Sequence, residues 1–240
     1  MEQQFNDTNI KIVYSGIQSG NMDLRFGNRT EVLTRRTRLQ KQYRETPYMA
    51  LVAAEGRDKI IDLDKSNLEK GWNILKCDGL MTTKNAVALV LFPADCIPLV
   101  VYAAHYPARA LIHVGRKGAE KGIHTKIIDY FLEKHKTPLE SLRVFIGPSI
   151  KQASYFFPNI EVGQKNSERW KPYINKKNDN YYIDVNGLVI AELVAKGIAR
   201  SHMQVSDIDT GSRADYFSHA RSVRSGDMEG RNTFIVLPGQ

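Results

Sequence analysis

A chain of 240 residues with 42% hydrophobic content can bury a substantial core, as one large domain or two small ones. Its opening residues lack the basic-then-apolar pattern of a signal peptide, and no apolar run approaches the ~20 residues needed to span a bilayer. These features argue against secreted and membrane classes and lead to the expectation of a cytoplasmic protein. A net charge of +8 suits anionic partners, yet the basic residues are scattered and no zinc-finger or RNA-recognition spacing is present, so nucleic acid is not the expected partner.

In chain order, 11–14 reads as a short strand, 16–20 as a turn, and the alternation over 21–27 predicts another strand. A helix over 29–43 follows, with Arg35, Arg36, Arg38, Lys41 and Arg44 as a solvated face and Leu33, Leu39 and Tyr43 toward a core. Residues 48–53 and 59–63 read as strands around a Glu55-Gly56-Arg57-Asp58 turn. The 77–80 segment opens the central region. There 87–91 is a buried strand, the chain bends at Pro93, Asp95 and Cys96, and 97–104 and 108–112 are further strands, the last delivering His113. After Gly115-Arg116-Lys117-Gly118, the spacing of Ile123, Ile127, Ile128 and Phe131 predicts a helix over 119–135.

Residues 142–146 predict a strand ending in Gly147-Pro148-Ser149-Ile150, a tight turn whose amides are candidates to face an anion. The polar 165–180 stretch reads as a surface excursion around Trp170. Asp184 or Asn186 is placed to cap a helix that runs to about 197–201. Strands at 203–208 and 233–237 close the chain, the last completing a sheet begun near the amino terminus. With no repeat, low-complexity tract or long linker, one domain over 1–240 is the simplest organisation.

Two cysteines, Cys77 and Cys96, are expected to be free thiols. Cys96 and Asp95, with His113 nearby, are the catalytic candidates, because a neighbouring imidazole or cation favours the thiolate. A small core residue is the competing reading of Cys96. As metal ligands, Cys96 and His113 make two of the three or four that zinc needs, leaving Glu55, His105 or His124 for the third. Arg116 and Lys117 are candidates for an anion site. Asn21, Arg25, Arg221 and Arg231 each fall in a polar or Gly-rich break.

Seven short motifs stand in order: Gly20-Asn21-Met22, Asp78-Gly79-Leu80-Met81-Thr82, Ala94-Asp95-Cys96-Ile97-Pro98, His113-Val114-Gly115, Gly147-Pro148-Ser149-Ile150, Phe217-Ser218-His219 and Gly230-Arg231. Together they resemble the YfiH-like family over nearly the whole chain. That family is long labelled polyphenol oxidase or laccase-domain and is understood as purine nucleoside phosphorylases with adenosine deaminase activity. The resemblance implies a mixed α+β fold of layered mixed sheets flanked by helices, similar to the cysteine deamidase domain of cytotoxic necrotizing factor toxins. It also implies zinc on two histidines and a cysteine, here Cys96 and His113, with Glu55 where the other histidine is expected and the metal site weakened accordingly. Further departures are Arg116-Lys117 in place of Trp-Arg, Asp209-Thr210 in place of Cys-Thr, and Ala220-Arg221 in place of paired arginines.

The implied activity is phosphorolysis of adenosine or inosine, with inorganic phosphate as co-substrate and a small purine nucleoside as ligand. Asn21, Arg25, Arg116, Lys117, Ser149 and Arg221 are the expected substrate and phosphate contacts. A cysteine hydrolase or deamidase using Cys96 and His113, or a silent binding protein, are the alternatives. Multicopper oxidation fits worst, since the six histidines are dispersed.

Overall fold

The computed structural model describes residues 3–7, 9–56 and 58–239. Residues 1 and 2 and Arg57 of the 55–58 turn lie outside these. In chain order the strands are β1 (Gln3–Asp7), β2 (Ile10–Ser15), β3 (Tyr48–Ala53), β4 (Ile60–Asp62), β5 (Gly71–Lys76), β6 (Gly79–Thr82), β7 (Val87–Leu91), β8 (Ile97–Ala103), β9 (Arg109–Val114), β10 (Leu142–Ile146), β11 (Phe156–Phe157), β12 (Ile174–Lys177), β13 (Asn180–Ile183), β14 (Met203–Val205) and β15 (Thr233–Pro238). The helices are α1 (Arg29–Gln42), α2 (Arg116–Glu120), α3 (Ile123–Lys134), α4 (Val162–Lys165), α5 (Val185–Ala195) and α6 (His219–Ser225).

The strands form two six-stranded mixed sheets, ordered β1-β2-β15-β7-β3-β5 and β14-β10-β8-β9-β6-β4, and a small antiparallel sheet, β11-β13-β12. Ile12, Leu89 and Val236 of the first sheet meet Leu80, Val100, Leu111 and Phe145 of the second in one buried cluster, so the sheets pack face to face. The outer face of the second sheet carries Leu99, Val101, Ile112 and Val144 against Ile127 and Phe131 of α3 and Leu188 and Leu193 of α5. The outer face of the first sheet holds Val13, Met49, Val90 and Ile235 with Leu39 of α1. Covered on both faces, β7 and β8 are buried at every residue, which is why they read as unbroken apolar runs. As the last expected strand, β15 pairs antiparallel with β2 and closes the first sheet.

Several local expectations are corrected. The 21–27 stretch is a loop: Asn21 uses its side chain to bond Asp23 and Phe26 main-chain atoms, and Gly27 takes φ +69°. The 55–58 turn does not join a hairpin, because β3 pairs with β5 and β7 while β4 pairs with β6 in the other sheet. The predicted 119–135 helix begins earlier and breaks at Gly122, φ +72°, so Arg116 and Lys117 occupy the first turn of α2. On α1, Leu33 is exposed, while Arg36 is buried between the Trp72 and Phe92 rings and donates to the Met22 carbonyl. The 165–180 excursion contains β12 and buries Trp170 at 1% exposure, so it contributes to the core.

Candidate active site

The register of three adjacent strands assembles the site. Pro98 of β8 lies opposite His113 of β9, and Gly79 of β6 lies opposite Ile112. Cys96, one residue before β8, and Asp78, one residue before β6, therefore flank His113 at a common sheet end. The His113 N–H donates to the Asp78 carbonyl at 2.7 Å, and its Nδ1 stands 3.4 Å from Asp78 Oδ1. That same oxygen accepts the Gly56 N–H at 2.8 Å and so ties the turn carrying Glu55 to the imidazole.

Asp95 makes the bend before Cys96 with φ +77°, a left-handed conformation that short polar side chains tolerate best after glycine. Its contacts hold that strain in place. Oδ1 accepts from the Thr210 hydroxyl at 2.7 Å, Oδ2 from the Ala220 N–H at 2.7 Å, and its carbonyl from the Ile150 N–H at 2.9 Å. Asp95 thus fastens three distant loops around the thiol. On the other side Gly115 leaves no room: a Cβ there would stand 3.0 Å from Cys96 Sγ and 3.6 Å from His113 Cε1.

Burial disfavours charge on His113, but the Cys96 side chain and the Asp78 carboxylate outweigh it and raise the imidazole to about 10. The arrangement holds an imidazolium beside the Cys96 side chain. Both cysteines are free; burial pushes Cys77 up to about 12, so it remains a thiol.

Cys96 lies between two cavities. One is a cleft of about 560 Å³ bounded by His113, Glu55, Arg25, His219 and Arg231, within the roughly 300–1,000 Å³ of small-molecule sites. The other, about 30 Å³, is lined by Gly115, Arg116, Ile150 and Tyr155, and burial raises the Tyr155 phenol to about 12.

The structure brings Cys96, His113, Glu55 and Arg25 to the cleft and Asp95 and Arg116 to the small pocket. Arg25 is 70% exposed and paired with Asp23 at 2.6 Å. Arg116 lies 3.8 Å from Glu161 and over the Phe157 ring, and Lys117 is exposed one residue on. The other expected contacts are directed into the protein. Asn21 bonds its own loop and the Arg231 N–H. Ser149 is fully buried and donates to Asn186. Arg221 reaches the carbonyls of Thr210, Arg213 and Tyr216 and pairs with Asp227. The amides of the 147–150 turn, expected to face an anion, are spent on Pro98, Ile208 and Asp95 carbonyls. Asp78 belongs to the Asp78-Gly79-Leu80-Met81-Thr82 motif, but nothing in the sequence marks its carboxylate as the partner of His113.

For zinc, the donor set falls short as arranged. Among the described residues no group of three or more His, Cys, Asp or Glu is disposed to hold a metal ion, and Glu55 lies on an exposed turn. Cys96 and His113 remain a two-residue set.

A family model described as multi-copper polyphenol oxidoreductase laccase matches residues 10–237. A Rickettsia conorii protein named purine nucleoside phosphorylase is 24% identical over 183 residues, 71% of this chain and 70% of the relative. YlmD of Bacillus subtilis, named likewise, is 29% identical over 154 residues, 60% of this chain and 53% of the relative. A Clostridium acetobutylicum purine nucleoside phosphorylase matches over 62% of its own length, so these matches span from about half to seven tenths of the relatives. Among solved structures, YlmD from Geobacillus stearothermophilus superposes with a TM-score of 0.77 at 22% identity, covering 96% of this chain and 92% of that one. A YfiH protein from Bacillus licheniformis gives 0.78 at 18%, over 96% of this chain and 93% of its own. At these identities the structures show the shared fold.

Proposed function

Because the chain belongs to the laccase-like polyphenol oxidoreductase family that includes YfiH and YlmD, we propose that it is a purine nucleoside phosphorylase-like enzyme. The observation that carries this reading is the placement of Cys96 where a cleft of small-molecule size, which His113 also lines, meets the Arg116 pocket. Phosphate attacks the ribose anomeric carbon as the glycosidic bond to the base breaks. Most of the acceleration comes from holding the two reactants in line and from fixed positive charge beside the phosphate. Arg116 and Lys117 hold phosphate, the arginine by its planar fork and the lysine as a point charge. His113, charged and steadied by Asp78, orients the reactants from the floor of the cleft together with Cys96.

Incubation with adenosine or inosine, with chromatography of the products, tests the reading. Free base should appear in proportion to phosphate; equal release without phosphate, or none at high enzyme concentration, overturns it. Changing both Arg116 and Lys117 to Ala should raise the phosphate requirement more than the nucleoside requirement.

The line of Cys96, His113 and Asp78 supports a second reading, a cysteine hydrolase or deamidase. A thiol, an imidazole and an orienting carboxylate are the parts of covalent catalysis by cysteine. A substrate-derived mass added to Cys96 during turnover would favour it over phosphorolysis.

A further inference from the structure

We propose that His219, oriented by Glu229, is a further catalytic residue, the acid that protonates the departing purine; this rests on the phosphorolysis reading above. Phosphorolysis leaves an electron pair on the base nitrogen, and a neutral purine is a poor leaving group until a proton meets that charge. His113 is a poor source for it, being engaged with Cys96 and Asp78. His219 lines the same cleft with 60% of its side chain open.

Its ring is held from one side. Nδ1 lies 3.3 and 3.2 Å from the two Glu229 oxygens, and Glu229 is itself held by the Ser222 hydroxyl and the Arg231 guanidinium. A carboxylate only accepts, so Nδ1 carries the hydrogen of that contact and Nε2 is left for the cleft. This is the carboxylate-imidazole geometry that fixes a tautomer and ring orientation for proton transfer.

The support is tied to the thiol loop. The next residue, Ala220, donates its N–H to Asp95, the neighbour of Cys96, at 2.7 Å. Just upstream, Phe217 exchanges two hydrogen bonds with the Asn232 side chain, at 2.9 and 2.8 Å. The start of α6 is therefore fixed relative to both Cys96 and the segment leading into β15, and His219 is carried on that fixed point.

In the step, the glycosidic carbon–nitrogen bond breaks with its electron pair going to the purine nitrogen. His219 enters the step as the imidazolium, with Nδ1–H on Glu229 and a second proton on Nε2; the Nε2 proton passes to the purine, and a phosphate oxygen bonds to the anomeric carbon. The imidazole leaves the step neutral and regains a proton through solvent from the acidic hydroxyl of the sugar phosphate.

The test compares inosine with 7-methylguanosine, whose cationic base departs without needing a proton, in the parent and in His219→Gln. We expect the variant's kcat on inosine to fall by about 100-fold or more, the usual scale of acid catalysis, with KM little changed. The 7-methylguanosine rate should stay close to the parent's and also reports that the variant is folded. Equal losses on both substrates, or none on either, overturn the proton-donor role. A parent that releases base from neither substrate removes the phosphorolysis reading itself and this proposal with it.

Discussion

Asp78 couples the two halves of the site through one oxygen, shared between the Gly56 N–H and His113 Nδ1. Its negative charge favours the imidazolium that stands beside Cys96. Asp78→Asn keeps an oxygen for Gly56 and removes the charge, so iodoacetamide should label Cys96 more slowly at neutral pH. Peptide mass spectrometry would follow the label, and Cys77, buried and raised to about 12, serves as the unreactive internal comparison. An unchanged labelling rate would show that Asp78 braces the turn and does nothing for the thiol. Glu55 sits on that braced turn beside the same cleft, so Glu55→His adds a third nitrogen or sulfur donor to the cleft that Cys96 and His113 line. The expected result is more zinc retained after dialysis against a mild chelator than in the parent, read by elemental analysis. Cys96→Ala in the Glu55→His background should abolish the gain. No gain in a folded variant would place position 55 outside any metal site.

At the scale of elements, α6 is held at both ends. Ser218 caps it by accepting the Arg221 N–H, Gly226 ends it at φ +74°, and Glu229 returns to Ser222, His219 and Arg231. Burial opposes ionisation of Glu229, but those three partners outweigh it and bring the carboxyl down to about 2 from the ordinary 4.5. A folded pKa below the unfolded one means that the folded state binds fewer protons. The stabilisation is therefore complete above about pH 4.5 and is lost as pH falls through about 2. Urea unfolding between pH 5 and pH 2 should show a steeper loss of stability in the parent than in Glu229→Gln; parallel curves would mean that the contacts contribute nothing. Little of this was legible beforehand. Phe217-Ser218-His219 was visible as a motif, but Glu229 was not singled out, because nothing local marks a carboxylate whose partners lie on a preceding helix. Arg221 shows the converse: the motif drew attention to its charge, yet its guanidinium is consumed by carbonyls of a loop 8 to 11 residues upstream. Where apolar runs were long, as in β3, β7 and β10, the strands were legible; which sheet each joined was not, as β3 and β4 show, because pairing depends on partners far along the chain.

At the scale of the molecule, the site depends on how the two large sheets face each other. Cys96, His113 and Asp78 all stand at one end of the second sheet, while Phe92 and Pro93, which follow β7 of the first sheet, form part of the cleft wall. The chain crosses between the sheets within the four residues that separate β7 from Cys96, so the relative position of the sheets sets the shape of the cleft. Phe145 is central to that contact. On β10 of the second sheet and 2% exposed, it stacks on Phe5 at 5.2 Å and meets Tyr14 at 6.1 Å and Phe234 at 6.3 Å, all three on the first sheet. Phe145→Ala removes those ring contacts and leaves a cavity between layers that the strands cannot close without shifting, at a cost of about 3–5 kcal/mol. Against the roughly 5–15 kcal/mol that holds a typical domain together, that is a large share. The midpoint of urea unfolding should fall accordingly. Because the cleft is walled by both sheets, the base release expected of the proposed phosphorolysis should also weaken at temperatures where the variant remains folded. The control is a cavity of similar origin away from the sheet contact: Phe131→Ala, under α3 on the outer face of the second sheet, should cost comparable stability. If both variants lose activity equally at equal stability, the sheet interface has no special hold on the cleft; a larger loss in Phe145→Ala would show that the packing between layers shapes it.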